Sequence, residues 1–316
     1  MGTGISRVGV LGAGTMGHAL ALVHALGGLE VRLQDNSPAA LARAPGLVDA
    51  ALATLVRGGE VSGDEAEAAR RRISPTPDLA RALDGADLVV EAVVEDKEVK
   101  RALFAEIDRL APLHALVASN TSYLDIFPYA APRRARTTLV AHWYTPPYLV
   151  DLVDLVGGEE TDPAAIEALR ALYASWGKKP VVLRRFIPGY VANRLQAAIS
   201  REVNWLLDEG YATPQDIDDA VIHGLALRLP VLGHLMKADF TGLDMTRRAL
   251  ANATVVPAPD RTRCETLEKL LAAGRGGVMS GAGFFDYGGR SPDELFRARD
   301  ERLLSLKRHL RDIGGI

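Results

Sequence analysis

Short apolar runs alternate with stretches in which apolar residues recur every three or four positions, and the alternation lasts to about Arg185. The runs are Ile5–Leu11, Glu30–Gln34, Asp87–Val94, Ala115–Ala118, Thr138–Ala141, Tyr148–Val156 and Pro180–Leu183. Their length and β-branched content predict strands, and Asp87–Val94 looks buried on both faces, as parallel strands are. Helical spacing predicts helices from Thr15 to Leu26, from Ser37-Pro38 to about Arg57, from Asp64 to Arg72 and from Leu79 to Leu83. It predicts two more, one carrying Val99, Leu103, Ile107 and Leu110 and one from Pro163 to about Ser175. Ser37 is an N-cap with proline at the first helical position, and Gly58-Gly59 ends that helix. Strands alternating with helices predict an α/β fold with a parallel, doubly wound sheet. Arg184–Gly189 reads as a linker, and the pattern beyond it is helices only, from about Gly189 to Asp208, from Thr213-Pro214, and from Pro292 to Ile313. A boundary at 186/187 is therefore expected, with an α/β part at 1–186 and an all-α part at 187–316.

Composition changes this picture little. A length of 316 residues suits two domains, and a net charge of −3 gives no reason to expect nucleic acid or an anionic membrane surface. No run of 18 apolar residues occurs, and the first strand begins almost at the amino terminus, so neither a spanning helix nor a signal peptide is expected. The single Cys264 excludes an intrachain disulfide and a cysteine-based metal cage, and it fits a cytoplasmic protein. Arg70-Arg71-Arg72 reads as a solvated helix end that complements the dipole. His18 and His24 fall on the first helix, and no chemistry is assigned to them.

The informative stretch is Gly12-Ala13-Gly14-Thr15-Met16-Gly17, set between a strand and a helix, with Asp35 at the end of the next strand. In such a turn the first glycine permits the tight bend, the second lets backbone approach a pyrophosphate, and the third lets helix and strand pack closely. The helix start offers N–H groups and a positive dipole end to phosphates. With Asp35 at the right distance to bind the ribose hydroxyls, the stretch predicts a dinucleotide site formed by Gly12, Gly14, Thr15, Met16, Gly17 and Asp35. Asn36 and Ser37 follow with no arginine, which favours NAD over NADP. Ligands of doubly wound sheets sit beyond the carboxyl ends of the strands. The polar residues there are Asp35, Glu95, Ser119 to Ser122 and His142.

Several motifs together resemble the L-3-hydroxyacyl-CoA dehydrogenase family. They are Gly12–Gly17, Glu91–Lys100, Ser119–Ser122, His142-Trp143-Tyr144-Thr145-Pro146, Pro188–Arg194 and Ser280–Phe285, in the family's order from residue 5 to about 287. The resemblance implies an NAD-binding Rossmann domain followed by a helical domain that commonly dimerises. It places a catalytic pair at His142 and Asp154, with Ser122 and Asn193 as partners of the substrate oxygen. Glu95, Lys100 and Thr145 fall at positions on the nicotinamide side of the cofactor. Three residues depart from the family: Asp154 stands where glutamate is usual, Thr145 where asparagine is usual, and Met279 where a lysine often sits.

Residue chemistry agrees with these roles. Oxidising an alcohol requires a base near neutrality, which histidine supplies, and a carboxylate behind it to fix the tautomer. Donors such as Ser122 and Asn193 would stabilise alkoxide character. The alternatives are a buried structural histidine, an ordinary strand carboxylate and two helix caps. The acyl-CoA members of the family carry a lysine-bearing arm after the second strand, and residues 45–75 here contain arginines but no lysine. Thr145–Tyr148, Asn193–Gln196 and Gly224–Arg228 look more like the CoA-free branch that includes lambda-crystallin and L-gulonate 3-dehydrogenase. The expectation is an NAD-dependent dehydrogenase of a small 3-hydroxy carboxylate, with Arg194 or Arg228 pairing with that carboxylate. An L-3-hydroxyacyl-CoA dehydrogenase and a catalytically weak, crystallin-like NAD-binding protein are the two alternatives. Both arginines could equally form surface ion pairs, and His234 is a further cleft candidate.

Overall fold

In the computed structural model, residues 4–252 and 256–314 are described. The first half runs β1 (Arg7–Leu11), α1 (Gly17–Leu26), β2 (Glu30–Gln34), α2 (Pro38–Arg57), α3 (Gly63–Arg71), β3 (Ile73–Thr76), α4 (Leu79–Leu83), β4 (Leu88–Glu91), α5 (Lys97–Leu110), β5 (Leu116–Ser119), β6 (Thr138–Trp143), β7 (Leu152–Gly157), α6 (Pro163–Ser175) and β8 (Lys179–Leu183). The eight strands form one sheet in the order β3-β2-β1-β4-β5-β6-β7-β8. Apolar cores line both faces. Val8, Val10, Leu88 and Val90 pack with Leu20 of α1 and Leu169 of α6, whereas Leu11 and Val89 pack with Phe104 and Ile107 of α5.

The sheet differs from the sequence expectation in several features, among them that the strand expected at Tyr148–Val156 begins only at Leu152. β3 was not expected, because Ile73-Ser74-Pro75-Thr76 carries too little apolar pattern; it is an edge strand, where proline is tolerated. The expected strand at Asp87–Val94 ends at Glu91, where the chain turns toward α5. β7 runs antiparallel to β6, whereas every other pairing is parallel. The cause is connection length: residues 144–151 join the two strands, and a parallel return needs a crossover of about a dozen residues or more.

α2 is the one helix among the described residues that is long and apolar enough by composition to cross a membrane. Its apolar side packs in a cluster of Val48, Ala51 and Leu52 with Leu22 of α1 and Ala66 of α3.

His24 is wholly buried among Trp143, Tyr173 and Trp176, and one ring nitrogen bonds the Leu20 carbonyl at 2.8 Å. Burial lowers its pKa from 6.5 to about 4, although the Leu20 bond opposes this. The unfolded chain therefore takes up a proton between pH 6.5 and 4 that the folded chain refuses. His24 should remove roughly 3 kcal/mol of stability as pH falls through that window. Urea unfolding from pH 7 to 4 checks this, and His24→Gln should flatten that part of the slope.

Chain contacts divide the molecule into two compact units, Met1–Val191 and Ala192–Ile316. The second contains α7 (Ala192–Asp208), α8 (Pro214–Asp219) continued by a π-helical turn over Ala220–Ala226, α9 (Leu229–Thr241), α10 (Leu243–Ala251), α11 (Glu265–Ala272) and α12 (Pro292–Ile313). Gly233 breaks α9 with a φ of 66°. Asp208, at the end of α7, accepts from the Thr266 N–H and hydroxyl and from the Glu265 N–H, fastening the start of α11. These bonds hold its carboxyl well below the ordinary range.

Candidate active site

The glycine turn assigns a separate job to each glycine. Gly12 has a φ of 99°, donates its N–H to the Gln34 carbonyl at 2.7 Å, and would place a Cβ 2.6 Å from the Ala92 carbonyl oxygen. A Cβ on Gly17 would lie 1.6 Å from the Gly12 oxygen. A Cβ on Gly14 would meet nothing within 4 Å, so close packing inside the protein does not require that glycine. A ligand pressed against the backbone would require it. The start of α1 has no side-chain cap, so no side chain at its N-cap takes up the N–H groups of the first turn. Asp35 accepts from Ala13 N–H at 2.7 Å and from Ser37 N–H at 2.8 Å, one on each oxygen, so each keeps a lone pair for a ribose hydroxyl. These residues fit a dinucleotide. Thr145, past the end of β6, is exposed and donates its hydroxyl to the Met16 sulfur at 3.0 Å, which brings it beside this turn.

The second group of residues gathers at the carboxyl ends of β5 and β6. The antiparallel register sets His142 directly opposite Asp154. Paired positions share a face of the sheet, so two residues twelve apart in the chain become neighbours. His142 Nδ1 lies 3.4 Å from Asp154 Oδ2, and His142 Nε2 lies 3.2 Å from Ser122 Oγ. An ionised carboxylate only accepts, so the imidazole proton belongs on Nδ1, and Nε2 is left with a lone pair toward Ser122. His142 is 3 % exposed and Asp154 is fully buried.

Glu95 holds the Ser122 turn. One of its oxygens accepts from the Thr121 hydroxyl at 2.6 Å and from the N–H groups of Ser122 and Tyr123, both at 2.9 Å. Burial pushes its carboxyl up, but the Thr121 and Tyr123 bonds, the Lys100 charge and the Ser122 N–H together bring it below its ordinary value. Lys100 is 1 % exposed and lies 2.6 Å from Glu91 and 3.3 Å from Glu95. Glu91, itself fully buried, also accepts from the Ser119 hydroxyl at 2.5 Å and from Val93 N–H at 2.9 Å.

Three neighbours were not singled out from the sequence. Glu91 had a signal, since an acid inside an apolar run must be paired. Tyr190 has a φ of 48°, donates its phenol to the Thr121 carbonyl at 2.6 Å and sets its ring 4.7 Å from the His142 ring. Burial, reinforced by the charges of Glu95 and Asp154, pushes its phenol far above the ordinary range, so it stays protonated as a donor. Tyr144 meets the imidazole edge-on at 4.6 Å and donates to Asp154 Oδ2 at 2.6 Å. Neither tyrosine shows a distinguishing spacing.

The remaining expected residues belong to the second unit. Asn193 is half-buried in the first turn of α7; Arg194, Arg228 and His234 are exposed, and Met279 is 76 % exposed. Arg228 Nε donates to the Gly224 carbonyl at 3.2 Å.

Residues 7–186 match the family model of the 3-hydroxyacyl-CoA dehydrogenase NAD binding domain, and residues 189–287 match that of its C-terminal domain. The chain is 32 % identical to 5-formyl-3-hydroxy-2-methylpyridine 4-carboxylate 5-dehydrogenase of Mesorhizobium japonicum, over 97 % of this chain and 98 % of the relative. It is 32 % identical to L-carnitine dehydrogenase of a Pseudomonas species, over 96 % and 94 % of the two chains. A crystal structure of 5-formyl-3-hydroxy-2-methylpyridine 4-carboxylic acid 5-dehydrogenase, described as an NAD+ dependent dismutase, superposes with a TM-score of 0.86 at 30 % identity, covering 97 % of this chain and 99 % of that one. The two matches together take in both the sheet-bearing unit and most of the helical one, and the chain belongs to the 3-hydroxyacyl-CoA dehydrogenase family as an NAD-dependent dehydrogenase acting on CH–OH groups.

Proposed function

We propose that this chain oxidises the secondary 3-hydroxyl of a small 3-hydroxy carboxylate to a ketone, with His142 as general base oriented by Asp154. The observation that carries this reading is the run of contacts from Ser122 through His142 to Asp154, at 3.2 and 3.4 Å. When bound, NAD supplies hydride acceptance at its nicotinamide ring. The protein's residues manage the proton and the charge. Neutral Nε2 of His142 takes the hydroxyl proton, Asp154 stabilises the imidazolium, and the Ser122 hydroxyl donates to the substrate oxygen as it gains alkoxide character. Asn193 adds a second donor.

Arg194 or Arg228 binds the substrate carboxylate, for which the guanidinium fork is suited. Two observations favour a small acid over an acyl-CoA. The α2–α3 arm contains no lysine, and Arg70 and Arg71 are already paired with Asp49 and Glu67. The two relatives named above also act, by their names, on carnitine and on a pyridine carboxylate.

The functional molecule is a homodimer joined through the helical unit. Among its described apolar residues that unit buries only Ile217, Ala258, Cys264 and Leu304, while Leu235, Phe240, Leu243 and Leu250 are 81, 68, 64 and 83 % exposed. Exposure on that scale calls for a covering surface. NAD reduction at 340 nm with 3-hydroxy carboxylates, free aldonic acids and 3-hydroxybutyryl-CoA tests substrate and turnover together. Turnover of the free acids is expected. Turnover confined to the CoA thioester would replace this substrate class, and no reduction by any of them would remove the activity. Light scattering on the same sample is expected to give twice the 33.9 kDa chain mass, and a monomer would remove the dimer.

A further inference from the structure

Asp154 receives two donors on one oxygen and none on the other. The Tyr144 phenol reaches Oδ2 at 2.6 Å, whereas His142 Nδ1 stands 3.4 Å from the same atom. Oδ1 is buried with no hydrogen-bond partner among the described residues. The tight bond on this carboxylate therefore comes from the phenol, and the imidazole makes a long one. Where the family usually has glutamate, this chain has an acid one methylene shorter, and the Tyr144 hydroxyl occupies the space beside it.

We propose that Tyr144 is a positioning residue of the candidate site: its phenol anchors Asp154 and holds down the basicity of His142. The proposal rests on His142 and Asp154 acting as base and orienting acid. A carboxylate that already accepts a short O–H bond has part of its charge neutralised, so it stabilises a protonated imidazole less. The hydroxyl also prevents the short side chain from rotating away from the ring, and the Tyr144 ring limits the tilt of the imidazole.

The other groups facing His142 are the Ser122 hydroxyl, with Glu95 and Lys100 behind its turn, and Tyr190, just past the linker. Tyr144→Phe alters none of them. Tyr144 is only partly buried, and phenylalanine keeps its ring, so the fold should survive.

The test has two independent arms. In the first, the imidazole of His142 is titrated by NMR in the substrate-free protein and in Tyr144→Phe. Its pKa is expected to rise by about one pH unit in the variant. In the second, kcat and the acidic limb of kcat/KM are compared for Tyr144→Phe, Asp154→Glu and the double variant. Tyr144→Phe should lower kcat about tenfold with the limb moved to higher pH and NAD affinity unchanged. Asp154→Glu alone should be worse, because the added methylene meets the phenol, and the double variant should recover most of that loss. An unmoved imidazole titration, or an Asp154→Glu loss that the double variant fails to reduce, overturns the proposal. Absence of turnover in the parent enzyme would instead overturn the functional reading, and the NMR arm would still decide the role of Tyr144.

Discussion

Replacing His142 with alanine is expected to lower kcat about a thousandfold and leave NAD affinity within about twofold, as read by single-turnover NAD reduction and by fluorescence titration with NADH. The two halves of this expectation have separate structural causes. The residues proposed to hold the nucleotide, Gly12, Gly14, Gly17 and Asp35, lie on or beside β1, α1 and β2, and none is bonded to His142. The imidazole instead packs against Tyr144 and Tyr190 and meets Ser122 and Asp154. Removing it takes away a proton acceptor without disturbing the turn that would cradle the pyrophosphate. Unchanged kcat in His142→Ala would remove the proposed base. A parallel loss of NADH binding would show that the ring is structural.

Lys100→Met is expected to destabilise the protein by about 3–5 kcal/mol, the usual cost of leaving one partner of a buried ion pair uncompensated. Glu91 is the stranded group: it is fully buried, and the lysine ammonium lies 2.6 Å away. Its remaining donors, the Ser119 hydroxyl and Val93 N–H, are neutral and satisfy hydrogen bonds without cancelling charge. For a unit of this size the loss corresponds to a drop of roughly 6–20 °C in Tm. Thermal and urea unfolding measure it directly. The double change Glu91→Gln with Lys100→Met should recover much of the loss, because it removes both charges together. A single variant as stable as the parent would show that the ion pair with Lys100 does not stabilise the fold. Loosening of Glu95, which orders the Ser122 and Tyr123 N–H groups, should accompany the loss and appear as lower kcat.

Much of the architecture was legible because it is local. The N-cap at Ser37, the helix at Leu79–Leu83, the proline start at Pro214 and the span Pro292–Ile313 all stand where capping and spacing put them. The glycine turn was legible for the same reason, since Gly12 and Gly17 each answer to a backbone atom a few residues or one strand away. β3 escaped because an edge strand needs little apolar pattern. The apolar face of α7 was legible, but its destination was not: Leu195 and Ile199 are 59 and 43 % exposed in this chain. A monomer core and a subunit interface call for the same spacing.

By itself, the sequence determined most of the element types, the glycine turn between β1 and α1, and the family through motifs in fixed order. Only the tertiary structure decided what the chemistry-bearing side chains touch. His142 meets Asp154 because β7 folds back antiparallel, Lys100 is committed to Glu91 and Glu95 inside the protein, and Tyr144 holds the shorter acid. The reason is physical: periodicity reports which face a residue takes, whereas its partner across the sheet depends on strand direction and register, which nonlocal packing and loop length set.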